Sequence, residues 1–288
     1  MPSEQHKAFN FQELTIGSDW QVKTREIPGL TRLSVSTLGA CRNINGDVFL
    51  CGNSGYIRKI SSDDNVAWDV NYKSDKRYEN AFNVAFSESD KMLVVLGVSF
   101  ESYTQLTSKD SSLWLAKLDS DGNFKAKSEF EGIAFFTIPS FCLSKSENPI
   151  VIYDTNEGVS TYNICVTKFS KDLKTKAWTT HIFDGNDIMV SRMSLTPLDN
   201  YYTLAAFNTM ATYKELTENG RFNMRFYILD NNGNVVNQAV FKDIRSSNYL
   251  VTVLKNRIFL VTKGHKYQEG KDTEFARLIC FKIYSGKG

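Results

Sequence analysis

The chain has 288 residues, more than the ~100–200 of a usual domain but within the range of single all-β barrels and propellers. Its composition is 42% hydrophobic and 13% aromatic with only 5 Pro, which excludes disordered, collagen-like and disulfide-scaffold classes. Lys and Arg number 34 against 32 Asp and Glu, and the resulting charge of +2 creates no field that would favour nucleic acid or an anionic membrane.

The N-terminal segment, residues 1–7, lacks the apolar core of a secretory signal, and no segment is apolar for long enough to span a membrane. The 5 Cys occupy apolar stretches without CxxC or other metal-ligand spacing, so we expect buried thiols and a reducing compartment. The 3 His lie far apart. These features predict a soluble, cytoplasmic, monomeric protein without a metal or a cofactor.

Short apolar runs rich in Val, Ile, Phe and Tyr recur along the whole chain and alternate with Asn, Asp, Gly and Ser clusters, which predicts an all-β fold. In chain order, the first predicted strand lies within residues 16–26. Its sequence is similar to the turn and strand at 64–70. Apart from this early strand, the apolar runs form a repeat.

The repeat contains four predicted strands. A strand ending in an apolar residue before a polar turn recurs at residues 59–61, 117–119, 168–170, 228–230 and 282–284. A second pattern ends in Ser or Thr at positions 36, 87, 144, 196 and 252. A third strand lies between the two patterns, and a fourth follows the polar turn near Trp68 and Trp178. Four strands in a repeat of about fifty residues are typical of a β-propeller blade.

The sequence therefore predicts one β-propeller domain over 1–288 with five blades, at about 31–70, 81–130, 135–183, 190–241 and 246–288. The last blade lacks a fourth strand, and we expect residues 16–26 to supply it and to cover the open edges. The alternative is a six-bladed ring, in which residues 9–12 form a further strand.

Two segments carry a resemblance to a known family. Residues 55–68, GYIRKISSDDNVAW, and 113–123, LWLAKLDSDGN, resemble repeats of the broad quinoprotein-type propeller superfamily. The resemblance covers nearly the whole chain and implies the propeller fold. Because the repeats vary in length and lack the regular Gly and Trp of that family, it implies no cofactor.

The candidate site lies on the face where the predicted loops between the second and third strands are long. Loops at 100–112, 208–222 and 264–272 carry Tyr103, Tyr213 and Tyr267, and tyrosine is a low-entropy anchor for binding. The first residue of each inner strand should ring the channel mouth: Arg32, Asn83, Ser140, Arg192 and Asn248. Guanidinium and amide groups there could hold a carboxylate, a phosphate or sugar hydroxyls. Alternatively, these residues only solvate the channel and pair with nearby carboxylates.

From this face we predict a non-catalytic propeller that binds a protein partner as an adaptor, inhibitor or toxin-neutralising protein. The first alternative is a lectin-like propeller that binds carbohydrate or a small ligand, which would have five similar pockets between its blades. The second is a glycoside hydrolase, which would need Glu79, Asp187 and Asp243, predicted in loops before inner strands, to converge in the channel. No nucleophile-elbow or phosphate-loop motif is present, so no catalytic residue is predicted.

Overall fold

The computed structural model of the chain describes residues 11–13, 37–73, 78–101, 111–131, 138–155, 162–185, 189–198, 202–210, 222–244, 249–254, 257–268 and 271–282. Every regular element within these ranges is a β-strand. In the same ranges there is no helix of the length and apolarity that a membrane span requires.

Twenty strands of the described residues form five four-stranded antiparallel sheets, which we call blades one to five. Blades one and two contain β2 (Thr37–Arg42), β3 (Val48–Gly52), β4 (Tyr56–Ile60), β5 (Val66–Asn71), β6 (Tyr78–Ser87), β7 (Met92–Phe100), β8 (Ser111–Leu118) and β9 (Phe124–Glu131). Blade three contains β10 (Ser140–Leu143), β11 (Pro149–Asp154), β12 (Tyr162–Phe169) and β13 (Lys176–Gly185). Blades four and five contain β14 (Met189–Pro197), β15 (Tyr202–Met210), β16 (Phe222–Asp230), β17 (Val235–Ile244), β18 (Tyr249–Leu254), β19 (Arg257–Gln268), β20 (Lys271–Lys282) and β1 (Phe11–Glu13).

The fifth blade takes its outermost strand from the N-terminal part of the chain. Its order is β18-β19-β20-β1, and Phe11 lies opposite Phe281 in the antiparallel pair of β1 and β20. This confirms the predicted five-bladed propeller in which an N-terminal strand completes the last blade. The strand that does so is Phe11–Glu13, whereas the predicted closing strand at 16–26 lies outside the described residues.

The inner strand of blade one differs from its prediction. Residues 32–36, which were predicted to form it, lie outside the described residues, and β2 begins at Thr37. A tight turn explains the difference, because Arg42 pairs with Val48 and Gly46 adopts a φ of +93° between them. Only the residues immediately before this turn can therefore pair with β3.

The predicted loop at 264–272 is also wrong. β19 and β20 remain paired as far as Gln268 opposite Lys271, and Tyr267 lies in β19 opposite Asp272. Continued pairing satisfies the backbone N–H and C=O groups that an irregular loop would have to leave to water. One of the three long loops on the predicted binding face is thus a long β-hairpin.

Hydrophobic clusters fill the junctions between neighbouring blades. Between blades one and two, Phe49 and Ile57 pack with Trp114 and Leu118, all of them buried. Buried apolar clusters also join blade two to blade three, blade three to blade four and blade four to blade five. Each buried large apolar side chain stabilises the fold by about 1.5–3 kcal/mol. Because the sheets pack face to face in a ring, their inner strands surround a common axis.

The lysine that recurs before the polar turn has a structural role in two blades. Lys59 forms an ion pair with Asp47 at 3.1 Å, and Lys117 forms one with Asp90 at 2.6 Å. In each case the carboxylate belongs to the hairpin between the first and second strands of the same blade. The side chain of Lys117 is only 6% exposed, so this ion pair is largely shielded from solvent.

Candidate functional site

Three inner strands depart from regular pairing at the same level of the ring. The register shifts between Thr37 and Gly39 in β2, between Ala81 and Asn83 in β6, and between Val190 and Met193 in β14. Such β-bulges leave a residue outside the ladder and redirect its side chain. Here they place Leu38 and Phe82 at a cavity on the ring axis.

The axial cavity has a volume of about 400 Å³, within the ~300–1,000 Å³ of small-molecule sites. The inner strands of all five blades contribute to its wall. The residues are Leu38 and Gly39 of β2, Phe82 and Asn83 of β6, Ile138 and Pro139 before β10, Ser140 and Phe141 of β10, Met193, Ser194, Leu195 and Thr196 of β14, and Val251 of β18.

The polar part of the wall consists of neutral side chains. The Val84 backbone N–H donates to Asn83 Oδ1 at 2.9 Å, which orients the amide, and Asn83 Nδ2 donates to Ser140 Oγ at 3.3 Å. The second amide hydrogen of Asn83 and the hydroxyl hydrogen of Ser140 can still be donated to a ligand. Ser194 and Thr196, both half-buried, add two hydroxyls. None of the described residues that line the cavity is charged.

The apolar part of the wall includes side chains that the fold leaves open. Leu38 is 40% and Ile138 41% exposed, although each lies beside the packed inner strands. A backbone bond of 3.3 Å from Met193 N–H to the Ile138 carbonyl ties blades three and four together at this point. Leu38 and Ile138 can therefore make apolar contact with a ligand, and the backbone bond to Met193 holds Ile138 in place.

Gly39 is required by the close approach of blades one and two. A Cβ at this position would lie 2.7 Å from the carbonyl oxygen of Phe82 and 3.0 Å from Cys51 Sγ. No larger residue fits without moving the bulge of β6. Gly39 and Leu38 were not among the predicted site residues, and their only signal in the sequence is a small residue within an apolar run.

The structure brings together only part of the predicted channel mouth. Asn83 and Ser140 line the cavity, and Arg192 lies in the irregular part of β14 directly before Met193. Arg32, Asn248, Tyr103 and Tyr213 lie outside the described residues. The polar residues that were missed, Ser194 and Thr196, lie farther along β14 than the single position per strand that the repeat pattern singled out.

Two of the three predicted carboxylates lie in strands and not in the loops expected for them. Glu79 lies in β6 rather than before it, is buried, and accepts a hydrogen bond of 2.5 Å from Ser99 Oγ. Asp243 lies in β17, the outermost strand of blade four, and Asp187 lies outside the described residues. Glu79 and Asp243 thus lie in strands, and the convergence of all three carboxylates stays a prediction because Asp187 lies outside the described residues.

No protein-family model matches the chain, and no curated protein matches it. Among solved structures, it is similar to a protein of unknown function from Dyadobacter fermentans, with 10% identity, coverage of 85% of this chain and 76% of that chain, and a TM-score of 0.55. It is also similar to a putative exo-β-1,3-galactanase from Bifidobacterium bifidum, with 9% identity, coverage of 86% and 88%, and a TM-score of 0.46. A glycoside hydrolase family 43 β-1,3-galactosidase with galactodeoxynojirimycin has 7% identity, coverage of 86% and 90%, and a TM-score of 0.49.

At 10% identity, the similarity to the Dyadobacter protein shows a shared fold and nothing more. The prediction of a non-catalytic propeller that binds a protein partner is contradicted by the comparisons, in which the similar structures include a putative galactanase and a galactosidase. That prediction was wrong because it rested on loop length and on arginines at a channel mouth, features that do not distinguish a protein surface from the rim of a small-molecule site.

Proposed function

We propose that this protein binds a small molecule, uncharged at its buried end, in the axial cavity. The observation that carries the proposal is a cavity of about 400 Å³ bounded by the inner strands of all five blades and lined by neutral side chains. Its size matches that of small-molecule sites in general.

The lining favours an uncharged group because a buried carboxylate or phosphate would need a charged or multiply hydrogen-bonded partner. Asn83 and Ser140 instead provide two hydrogen-bond donors side by side, since the Val84 N–H bond to Asn83 Oδ1 turns the amide nitrogen towards Ser140. Two convergent donors suit an acceptor oxygen, such as a hydroxyl or a carbonyl.

A sugar-like ligand fits both halves of the wall. Its hydroxyls would meet Asn83 and Ser140, and its apolar C–H face would meet Leu38 and Ile138. One axial site also replaces the five pockets expected of a multivalent lectin, because the described junctions between blades are filled by buried apolar clusters. The remaining predicted contacts, Arg32, Arg192, Asn248, Tyr103, Tyr213 and Tyr267, are proposed contacts for the part of the ligand outside the cavity.

A cavity-filling variant tests the proposal. Ser194→Trp places an indole in the cavity, and Thr175→Trp places the same side chain at an exposed position on the outside of blade three. Thermal shift and calorimetric titration with neutral mono- and disaccharides and small amides should show binding to the wild-type chain and to Thr175→Trp but not to Ser194→Trp. Asn83→Ala should weaken binding about tenfold, the effect of one lost hydrogen bond. Equal binding by Ser194→Trp, or no binding of any neutral compound, contradicts the proposal.

The compartment is part of the same proposal. None of the four described cysteines, Cys41, Cys51, Cys142 and Cys165, takes part in a disulfide. Reduced thiols favour a reducing compartment, and we therefore propose a cytoplasmic location.

A further inference from the structure

A cysteine and a histidine face each other on the two outer strands of blade three. Cys165 in β12 and His181 in β13 are cross-strand partners, and Cys165 Sγ lies 3.2 Å from His181 Nδ1. The register shifts beside them, since Ile164 pairs with Phe183 while Cys165 pairs with His181, which leaves Ile182 as an extra residue. Bulges of this kind redirect side chains and occur next to functional sites.

The other described thiols have a different environment. Burial raises the pKa of Cys51 and Cys142 to about 12, and it does the same for Cys41, so these thiols remain protonated at neutral pH. Among the described cysteines, Cys165 alone has a hydrogen bond to a histidine ring, and the imidazole can accept the thiol proton there.

The pair lies one side chain below the protein surface. Cys165 is fully buried, whereas His181 is exposed on β13, the outermost strand of blade three. Exposed side chains change rotamer within picoseconds to nanoseconds, so motion of the imidazole can open a path to Sγ. Such a path admits small reagents and excludes bulky ones.

We propose that Cys165 and His181 form a modification site at which small hydroperoxides oxidise the cysteine. The thiol proton moves from Sγ to Nδ1, and the thiolate attacks one oxygen of hydrogen peroxide. The S–O bond forms as the O–O bond breaks, and the leaving hydroxide takes the proton from the imidazolium. The products are cysteine sulfenic acid and water. The sulfur is oxidised and the peroxide is reduced.

The immediate surroundings of Sγ suit a sulfenic acid. Thr155 Oγ1 lies 3.9 Å from Sγ, at the outer limit of a hydrogen bond to sulfur. No second described cysteine belongs to blade three except Cys142, which lies on the inner strand β10. This arrangement favours a sulfenic acid that persists long enough to be trapped.

The test treats the intact, folded chain with hydrogen peroxide, traps sulfenic acid with dimedone and maps each cysteine by peptide mass spectrometry. Cys165 should react at least about tenfold faster than Cys51 and Cys142, the buried internal controls. A bulky aromatic disulfide reagent should leave Cys165 unmodified. Equal rates at the three cysteines, or rapid reaction with the bulky reagent, overturn the proposal.

Two variants separate the role of His181 from simple shielding. His181→Gln retains a side chain of similar length without a base and should slow oxidation of Cys165 about tenfold. Thr179→Val on the same strand alters a neighbouring hydroxyl pair with Thr167 and should leave the rate unchanged. A rate that is unchanged or higher in His181→Gln shows that the imidazole only covers the thiol and overturns the proposal. If that variant does not fold, the ratio of rates in the wild-type chain still decides the proposal.

Discussion

At three of the described junctions between neighbouring blades, an outer strand meets the next blade's turn, and the junctions differ in which of the two supplies the large side chain. At the junctions of blades one and two and of blades three and four, a tryptophan on the outer strand lies over a glycine in the next blade's turn. Trp68 Nε1 donates to the Ser120 carbonyl at 2.8 Å beside Gly122. Trp178 Nε1 donates to the Asn231 carbonyl at 2.9 Å beside Gly233.

The junction of blades two and three reverses this arrangement. Ala126 in β9 pairs with Lys117, just as Trp68 in β5 pairs with Lys59. Ala126 therefore occupies in blade two the position that Trp68 occupies in blade one. The turn that it faces carries a buried leucine, Leu173, in the same left-handed conformation as the glycines, with φ of +66°. The ring therefore requires a filled volume at this point, and either the strand or the turn can supply the side chain that fills it.

The junction of blades two and three also contains a charged network between the hairpins of the two blades. Glu147 of blade three accepts hydrogen bonds from Ser87 and Ser89 of blade two, at 2.7 Å from Ser87 Oγ and 3.0 Å from the Ser89 backbone N–H. Lys171 Nζ lies 3.3 Å from the same carboxylate. Blade two is thus held to blade three by leucine packing and by polar bonds between hairpins.

Removing the indole of a tryptophan junction should lower the free energy of unfolding more than any other change at these junctions. Trp178→Ala deletes the packing over Gly233 and one hydrogen bond, and we expect it to lower the free energy of unfolding by about 2–4 kcal/mol because the half-buried ring is large. Urea denaturation followed by fluorescence measures the loss. Lys174→Ala, whose side chain is 80% exposed, is the control and should change stability little.

A double variant sharpens the result by converting one junction into the other. Trp178→Ala combined with Gly233→Leu copies the alanine and leucine of blades two and three. It should recover part of the stability lost in Trp178→Ala. A double variant that is less stable than the single one would show that the turn of blade four, which is shorter than that of blade three, cannot accept leucine.

A smaller effect should distinguish the two glycines. A Cβ at Gly233 would lie 2.7 Å from the Trp178 ring, whereas at Gly122 it would lie 3.0 Å from the Trp68 ring. Both residues have positive φ, at +86° and +84°, so alanine is strained at each. We expect losses of about 1–3 kcal/mol, with Gly233→Ala the more destabilised in the same denaturation assay. The reverse order would mean that ring contact does not set the difference.

The smallest change in stability is expected from the charged network around Glu147, and it depends on pH. Burial alone would raise the pKa of Glu147, but hydrogen bonds from Ser89 and Ser87 and the nearby Lys171 ammonium lower it to about 2. Because the folded-state pKa lies below the ordinary value of 4.5, the stabilisation is complete above that pH and is lost as pH falls towards 2. Denaturation at several pH values should show a shallower decline between pH 4.5 and 2 for Glu147→Gln, and identical profiles would contradict the assignment.

The blade count could be predicted from sequence because it depends on local periodicity. Trp68 and Trp178 marked the fourth strands correctly, since each follows a polar turn and begins an alternating run. The inner strand of blade one was misplaced by several residues, because the pattern that located it is short and the turn at Gly46 fixes the register instead. Local patterns thus identify strands more reliably than their pairing.

The candidate site was harder to predict because bulges create it. Asn83 was identified from the repeat, but Leu38 faces the cavity only because β2 shifts register against β3. A bulge arises from contacts with a neighbouring strand, and one sequence contains little trace of it. Glu79 was placed in a loop for a similar reason, because it precedes the predicted strand in sequence yet lies within β6 in the structure.

The pairing of Phe11 with Phe281 has a consequence for how the protein is made. During synthesis β1 leaves the ribosome long before β20 is made. The backbone N–H and C=O groups of β1 therefore stay unpaired with β20 until the last blade emerges. Four blades can assemble in the meantime from contacts close in sequence, whereas the fifth closes last and at the greatest cost in loop entropy. Completion of the ring therefore reports that translation has reached the end of the last blade.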